Sequence, residues 1–144
     1  MGDVTVDAIL VTPLTRVAVA GGDVMHGLKR TDSGYVDFGE AYFSWIDADA
    51  IKAWKRHLRM TLNLVVPLGQ VRFAFIDPFG NRRIESIGAD PYARLTVPPG
   101  IWFGFQGLVQ PRSLLLNVAD LVHDPFEIER APLDAFELNW DRFL

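Results

Sequence analysis

The sequence predicts an all-β fold in which short strands form a sandwich or a barrel. Short apolar runs bounded by turn formers recur from residue 35 to residue 120, at roughly ten-residue intervals, and this spacing is typical of such folds. The 144 residues suffice for one hydrophobic core but not for two independent cores. No stretch has the length and period of a long helix. We therefore expect one domain over residues 1–144, with the barrel core at about residues 36–122.

Alternation of apolar and polar residues predicts eight strands, at residues 41–47, 51–57, 62–66, 70–76, 84–87, 94–97, 102–105 and 113–120. Tight reversals separate several of them at residues 67–69, 77–81 and 98–100. These reversals are expected because proline fixes φ, whereas glycine and asparagine accept positive φ. Residues 77–83 contain only polar and turn-forming residues apart from Phe79 and should form a hairpin loop.

Helical structure is expected as at most a turn or two, at residues 127–130 and 133–136, because residues 47–50 have weak helical composition and are too few. The tail from Asp124 onward mixes acidic residues, prolines and aromatics. It predicts a short C-terminal strap that packs four aromatic side chains onto the barrel, namely Phe126, Phe136, Trp140 and Phe143.

Composition and charge exclude several classes of function. A net charge of −4 and a pI near 5.2, with scattered Lys and Arg, argue against nucleic acid as a partner. No apolar stretch reaches the length of a membrane span, and the first residues lack a basic leader, so we expect a soluble, cytoplasmic protein. The absence of cysteine excludes disulfides and thiolate chemistry. One local basic cluster would suit a small anionic ligand, at Lys52, Lys55, Arg56, His57 and Arg59.

Four segments together carry a family resemblance. They read Gly-Glu-Ala-Tyr-Phe-Ser at residues 39–44, Ile-Lys-Ala-Trp-Lys-Arg-His at 51–57, Pro-Leu-Gly-Gln-Val-Arg-Phe at 67–73 and Val-Pro-Pro-Gly-Ile-Trp-Phe-Gly-Phe at 97–105. In this order the chain resembles the dTDP-4-dehydrorhamnose 3,5-epimerase family and its relatives within the cupins. The resemblance extends over residues 36–140, and its most specific part is the Pro-Pro-Gly-x-Trp-x-Gly-Phe stretch.

The resemblance implies a double-stranded β-helix, that is, a jelly-roll barrel of the cupin type. It also implies a homodimer built partly by strand exchange, and a pocket for a nucleotide-linked 4-keto-6-deoxy sugar. No cofactor is expected. Neither a membrane nor a nucleic acid is expected as a partner.

Epimerisation beside a ketone needs a base, a group that stabilises the enolate and an acid that returns the proton. In the family, the base is a histidine in a strand reading Arg-Gly-Leu-His. The resemblance places Lys52 at the arginine position and Lys55 at the histidine position, with His57 two residues later. Positions 55 and 57 share one face of a strand. A base displaced by two residues lies about 6.6 Å farther along the strand, so either the substrate pose differs or the activity is lost.

The other catalytic positions of the family are changed as well. An apolar residue near Leu62 stands where the family has a lysine, and residues 119–121 stand where its acidic tyrosine is expected. Tyr42, on another strand, is the candidate phenol. The candidate catalytic residues are therefore His57, Lys55 and Tyr42. The candidate substrate-binding residues are Lys52, Arg72, Asp120, Trp102 as a stacking platform and Asn63, which faces inward if its strand continues in phase from His57.

A metal-binding cupin would need a His-x-His pair, an acid and a later histidine. Lys55, Thr61 and Phe103 stand at three of those positions and only His57 remains, so no metal site is expected. Two alternatives to an epimerase stay open. One is a non-catalytic sugar-nucleotide-binding or structural module, and the other is a 3,4-ketoisomerase, which would want a second histidine in the pocket.

Overall fold

The computed structural model describes residues 4–143, and the side chains of residues 4–141. Within this part of the chain the strands are β1 (Leu10–Pro13), β2 (Arg16–Val17), β3 (Val24–Met25), β4 (Glu40–Asp47), β5 (Ile51–His57), β6 (Leu62–Leu68), β7 (Gln70–Ile76), β8 (Arg82–Gly88), β9 (Ala93–Val97), β10 (Trp102–Gly107), β11 (Arg112–Ala119) and β12 (Ile128–Arg130). Short 3₁₀ turns form at Val6–Ala8, Pro125–Glu127, Leu133–Ala135 and Trp140–Phe143. In residues 4–143, no helix is long and apolar enough to cross a membrane.

Two antiparallel five-stranded sheets face each other in a jelly roll. The first sheet has the strand order β1-β9-β6-β11-β4, and the second has the order β12-β5-β10-β7-β8. Strands β2 and β3 form a separate small hairpin. Consecutive strands alternate between the sheets at several points, as when β5 of the second sheet is followed by β6 of the first. The all-β jelly-roll prediction is confirmed.

All eight predicted strands form, and none of their ends differs by more than two residues from the prediction. The hairpin between β7 and β8 also forms, with Ile76 opposite Arg82. Its turn is held by Asp77, whose carboxylate accepts hydrogen bonds from the backbone N–H groups of Phe79 and Asn81 at 3.0 and 2.9 Å. Strands β1 and β12 extend the two sheets beyond the predicted core range, since β1 pairs with β9 and β12 pairs with β5.

The core lies between the inner faces of the sheets because each strand sends alternate side chains inward. Strand β7 contributes Val71, Phe73 and Phe75, which are all fully buried. Phe73 packs against Phe105 of β10 with ring centroids 5.6 Å apart. The intervening side chains of β7 therefore point away from the core, which decides where Arg72 lies.

The C-terminal strap covers the outer face of the second sheet. Phe136 meets Trp54 edge-on at a centroid distance of 5.2 Å, and Trp140 lies 5.8 Å from the same ring. The predicted packing is thus confirmed for Phe136 and Trp140. It is wrong for Phe126, which is 92% exposed, and the side chain of Phe143 lies outside the described residues.

Residues 127–130 do not form the predicted helical turn. A 3₁₀ turn ends at Glu127, and the next three residues form β12. The turn is capped by Asp124, whose carboxylate accepts a hydrogen bond from the N–H of Phe126 at 3.0 Å. The edge of β5 would otherwise leave backbone N–H and C=O groups without hydrogen bonds. Strand β12 pairs with this edge from His57 to Lys55.

Candidate active site

A cavity of about 460 Å³ lies between the inner faces of the two sheets. Its apolar wall consists of Leu62 and Leu64 from β6, Phe103 and Phe105 from β10, and Leu115 from β11. The remaining lining includes polar and charged side chains, mainly from β4, β5 and β12, together with Ala53, Trp54 and Ala131. An apolar concavity with a few convergent polar groups is the usual form of a small-molecule site.

Three cations converge on this cavity, namely Lys52 and Lys55 from β5 and Arg130 from β12. Lys55 and Arg130 are directly opposite each other in the β5–β12 pair. Lys52 is held in place because its Nζ donates a hydrogen bond to the backbone carbonyl of Trp45 at 2.7 Å. The cavity therefore presents a concentrated positive charge within an acidic protein.

A β-bulge allows both lysines to face the cavity. Residues three apart on a regular strand point to opposite faces. In β5, Lys55 pairs with Phe103 and Ala53 pairs with the next residue, Gly104, so Trp54 is an extra residue in the ladder. Trp54 consequently packs with the residues of the strap and also contributes to the cavity lining. Lys52 and Lys55 both line the cavity despite their odd spacing.

Gly104 makes room for this bulge. A Cβ atom at Gly104 would lie 2.5 Å from the Cβ of Ala53, closer than two carbon atoms can approach. The second glycine of the Pro-Pro-Gly-x-Trp-x-Gly-Phe stretch is therefore required by packing, because the bulged strand β5 approaches β10 closely at that point.

Burial lowers the pKa of Lys55 below its usual range, and the nearby charges of Arg130 and Lys52 lower it further. Glu127 opposes this shift. In the described part of the chain no ion pair includes Lys55.

His57 forms a buried pair with Glu127, a residue for which the sequence assigned no role. The imidazole Nδ1 lies 2.6 Å from Oε2 of Glu127, and the two side chains are 4% and 2% exposed. The other carboxylate oxygen of Glu127 accepts hydrogen bonds from the N–H groups of Met60 at 2.8 Å and Arg59 at 3.3 Å. Because the carboxylate oxygen is the acceptor, Nδ1 carries the hydrogen and donates a hydrogen bond to Glu127.

The second ring nitrogen, Nε2 of His57, is buried and has no hydrogen-bond partner among the described residues. His57 does not itself line the cavity, but its ring stacks on Phe103, which does, at a centroid distance of 6.1 Å and an interplanar angle of 15°. Burial lowers the pKa of His57 despite the opposing hydrogen bond and charge of Glu127. The imidazole is therefore neutral near pH 7, with the Nε2 lone pair available as a base.

Tyr42 brings a phenol to the cavity from β4, on the sheet opposite Lys55. Its hydroxyl oxygen accepts a hydrogen bond from Nδ2 of Asn117 at 3.0 Å. Asn117 lies directly across from Tyr42 in the β4–β11 pair and also lines the cavity. Because the amide donates to the phenol oxygen, the Tyr42 hydrogen is free to be donated elsewhere.

Comparison with solved structures identifies the family. A dTDP sugar isomerase from Desulfovibrio desulfuricans G20 is 34% identical to this chain with a TM-score of 0.86, and the alignment covers 90% of this chain and 87% of that chain. The chain belongs to the dTDP-4-dehydrorhamnose 3,5-epimerase-like family of cupins. No protein-family model and no curated protein sequence matches it.

Two solved structures of lower identity share the fold. The 3,4-ketoisomerase QdtA from Thermoanaerobacterium thermosaccharolyticum, solved with TDP-4-keto-6-deoxyglucose, is 18% identical with a TM-score of 0.75, over 88% of this chain and 90% of that chain. A dTDP-4-dehydrorhamnose 3,5-epimerase from Bacillus anthracis, solved with TDP and PPi bound, is 18% identical with a TM-score of 0.77, over 88% and 80%.

Four residues predicted to bind substrate in this epimerase-like chain do not line the cavity. Asn63 faces the other side of the first sheet, where its Oδ1 accepts hydrogen bonds from Thr96 Oγ1 at 2.6 Å and Arg94 Nε at 3.1 Å. The expectation that it continues in phase from His57 is wrong because residues 58–61 carry the chain from one sheet to the other. Leu62 and Leu64 face the cavity instead.

The other three residues have structural partners elsewhere. Arg72 is on the outer face of β7, where its Nη2 donates a hydrogen bond to Gln106 Oε1 at 2.7 Å. Trp102 lies under the strap, with the Arg56 guanidinium 4.7 Å from its ring centroid. Asp120 accepts a hydrogen bond from the N–H of Thr61 at 2.8 Å, and burial raises its pKa. These placements put all three outside the cavity lining.

Glu127, Arg130 and Asn117 are the site residues that the sequence did not reveal. Asn117 carried a usable signal, because it is a polar residue at an inward position of the predicted strand at residues 113–120. Glu127 and Arg130 carried none, because the segment that holds them pairs with β5 over only three residues. Among residues 4–143, no three His, Asp or Glu side chains form a cluster suited to a metal ion, and the expectation of a metal-free site stays a prediction.

Proposed function

We propose that the protein binds a nucleotide-linked 4-keto-6-deoxy sugar in this cavity and catalyses proton transfer at a carbon beside the ketone. The observation that carries the proposal is the buried His57–Glu127 pair, in which Nε2 has no partner among the described residues and the imidazole stacks on Phe103 of the cavity wall. A buried polar atom without a partner is rare and costly, and such atoms concentrate at sites of function. The relationship to a dTDP sugar isomerase supports the class of substrate.

Each step of proton transfer has a candidate group. His57 removes the proton through Nε2, while Glu127 fixes the tautomer and stabilises the imidazolium that forms. Lys55 faces the cavity where negative charge develops on the ketone oxygen. Tyr42 approaches from the opposite sheet and returns a proton to the other face of the enolate. Catalytic contacts often tighten only when substrate binds, and we expect the contact between His57 and the substrate to form in this way.

The diphosphate of the ligand would lie near Lys52 and Arg130. Both cations line the cavity and are exposed to solvent at the same time, so they suit a charged group at the entrance. Phosphate oxygens form charge-assisted hydrogen bonds with lysine and arginine. The apolar wall formed by Leu62, Leu64 and Phe105 is then left for the deoxy sugar.

Heavy-water exchange tests the proposal. The protein is incubated with dTDP-4-keto-6-deoxyglucose in heavy water, and deuterium at C3 and C5 is followed by NMR. We expect exchange in the wild type and a loss of roughly 10²- to 10⁴-fold in His57→Gln. His26→Gln is the matched control, because His26 is an exposed loop histidine. Absence of exchange in the wild type, with a rise in thermal stability on adding the ligand, would replace the enzyme with a non-catalytic binding module.

A 3,4-ketoisomerase is the second candidate. That reaction was expected to use a second histidine in the pocket, but among the described residues only His57 is paired with a buried carboxylate, Glu127. A ketoisomerase would therefore have to use this one base for both C3 and C4. This alternative predicts exchange at C3 without exchange at C5, so the same NMR spectra separate the two reactions.

We also propose that two copies of the chain associate through the outer face of β4. This strand is an edge of the first sheet and carries Phe43, which is 63% exposed, and Trp45, which is 42% exposed. A long apolar edge strand is normally covered in a native protein. Sedimentation velocity should show a dimer that Phe43→Ser weakens, whereas Phe79→Ser, at the tip of a hairpin, should leave it intact. A wild-type monomer at all concentrations would contradict the dimer.

We also propose that the protein is cytoplasmic, as expected from the sequence.

A further inference from the structure

The two cavity lysines differ in what holds them. Lys52 is exposed, and its Nζ donates a hydrogen bond to the backbone carbonyl of Trp45. Lys55 is half-buried, lies across from Phe103 in the ladder and forms no ion pair within the described residues. An amine in such a position is free to approach a bound ligand.

The charged groups around Lys55 come from two elements besides its own. Arg130 of β12 and Lys52 of β5 are like charges, and both favour the neutral amine. Glu127 is the one carboxylate that opposes them, but its oxygens are already engaged by His57 and by the N–H groups of Met60 and Arg59. His57 itself is neutral near pH 7. Desolvation and neighbouring cations are the conditions that turn lysine into a nucleophile in proteins.

We propose that Lys55 forms a reversible imine with the ketone of the bound sugar. The inference rests on the proposed function, because it takes the keto sugar as the ligand of this cavity. Lys55 would then act as a covalent electron sink and not only as a charge beside the ketone oxygen. This role fits the position of Lys55 along β5, between Lys52 and His57 and directly opposite Arg130.

The covalent step balances without a further reactant. The lone pair of Nζ attacks the ketone carbon, the C–N bond forms, and the carbonyl π electrons move to oxygen, which takes up a proton. The attacking nitrogen gives up one proton to solvent, which leaves the neutral carbinolamine. Its hydroxyl then takes up a proton and leaves as water, while the nitrogen lone pair forms the C=N double bond of a protonated imine. Protonated, this imine accepts electrons better than the ketone, so the adjacent C–H bond becomes more acidic and His57 can remove the proton. Hydrolysis by water returns the ketone and the free amine.

Reductive trapping tests this inference on the full-length protein. The wild type is incubated with dTDP-4-keto-6-deoxyglucose and sodium cyanoborohydride, and the intact mass is measured. A trapped imine adds the mass of the sugar nucleotide less one oxygen atom. The chain contains three lysines, Lys29, Lys52 and Lys55, so peptide mapping identifies the modified residue directly. Calorimetry with the same ligand and no reductant measures binding.

We expect the adduct on Lys55, its loss in Lys55→Arg and its retention in Lys29→Arg. An adduct confined to Lys29, to Lys52 or to the terminal amine would overturn the inference. Measured binding without any adduct would overturn it as well while leaving the proposed function intact. Absence of binding would instead reject the proposed function. Because mapping is done on the wild type, a folding defect in Lys55→Arg does not remove the test.

Discussion

The Nδ1 atom of His57 and the Oε2 atom of Glu127 lie 2.6 Å apart, although 70 positions separate the two residues in the chain. The contact joins strand β5 to the turn that precedes β12. The contact orients the imidazole, whereas burial is what lowers the pKa of His57 and keeps the ring neutral near pH 7.

Glu127→Gln should leave the fold intact and remove the base. The amide oxygen still accepts a hydrogen bond from the N–H of Met60, but the amide NH₂ now donates to Nδ1 of His57. The proton therefore moves to Nε2, and we expect deuterium exchange to slow by roughly 10²- to 10⁴-fold. Glu129→Gln is the control, because Glu129 pairs with Arg56 away from the cavity. An unchanged exchange rate in Glu127→Gln would rule out this role for the carboxylate.

Protonation of His57 should destabilise the folded protein. Its pKa is lowered from 6.5 by burial, so the unfolded chain binds this proton more readily than the folded one. The contribution to stability is complete above pH 6.5 and decreases as the pH falls through 6.5 toward the folded pKa. Urea titrations across that window should show a steeper fall in the free energy of unfolding for the wild type than for His57→Gln. Equal slopes for the two proteins would contradict the prediction, and His26→Gln should match the wild type.

Gly104→Ala should destabilise the protein by about 1–3 kcal/mol, because the new Cβ would lie 2.5 Å from that of Ala53. Chemical denaturation measures the loss. Gly27→Ala is the control, since a Cβ there meets nothing within 4 Å. Adding Ala53→Gly to Gly104→Ala should recover part of the stability, because it removes the nearest atom. Failure of the second substitution to recover any stability would show that the clash has another source.

Arg130→Gln should weaken binding of TDP by about 10- to 100-fold, the usual value of a hydrogen bond to a charged group. The residual affinity should depend less on salt than that of the wild type. Calorimetry at two ionic strengths measures both effects. Arg82→Gln, an exposed substitution on β8 outside the cavity lining, should change neither. Equal affinities for wild type and Arg130→Gln would place the diphosphate elsewhere.

Tyr42→Phe should separate removal of the proton from its return. The phenol is lost, but His57 and Glu127 are untouched, so deuterium still enters the substrate from the His57 side. The inverted product should fall relative to the exchanged substrate, and NMR of one reaction measures both quantities. A proportionate loss of exchange and inversion would assign Tyr42 to binding and not to proton return.

The sequence predicts the eight central strands because each has alternating side chains and a turn whose chemistry is local. Three of the candidate site residues chosen from the sequence, Lys52, Lys55 and Tyr42, lie in the lining of one cavity. The phase of Asn63 is mispredicted because β5 and β6 belong to different sheets, and alternation along one strand carries no information about the next. Trp102 is misplaced by a related cause, since Phe103 and Phe105 take the inward positions of β10.

Glu127 and Arg130 were beyond prediction for a different reason. A three-residue strand has too few alternations to be recognised, and its place depends on the unpaired edge of β5 rather than on its own sequence. The role of His57 depends in turn on Glu127. Local pattern thus specifies the barrel, whereas the acid–base pair depends on a contact between distant segments.

The bulge opposite Gly104 determines how much of the sheet must be copied if Lys52 and Lys55 are to be transferred together to another protein. Copying β5 alone into another sheet would leave the extra residue without space, and strict alternation would turn either Lys52 or Lys55 outward. A graft that keeps both amines on one side must carry β10 with its glycine as well. A designer of binding sites for phosphorylated sugars would therefore treat β5 and β10 as a single two-stranded module.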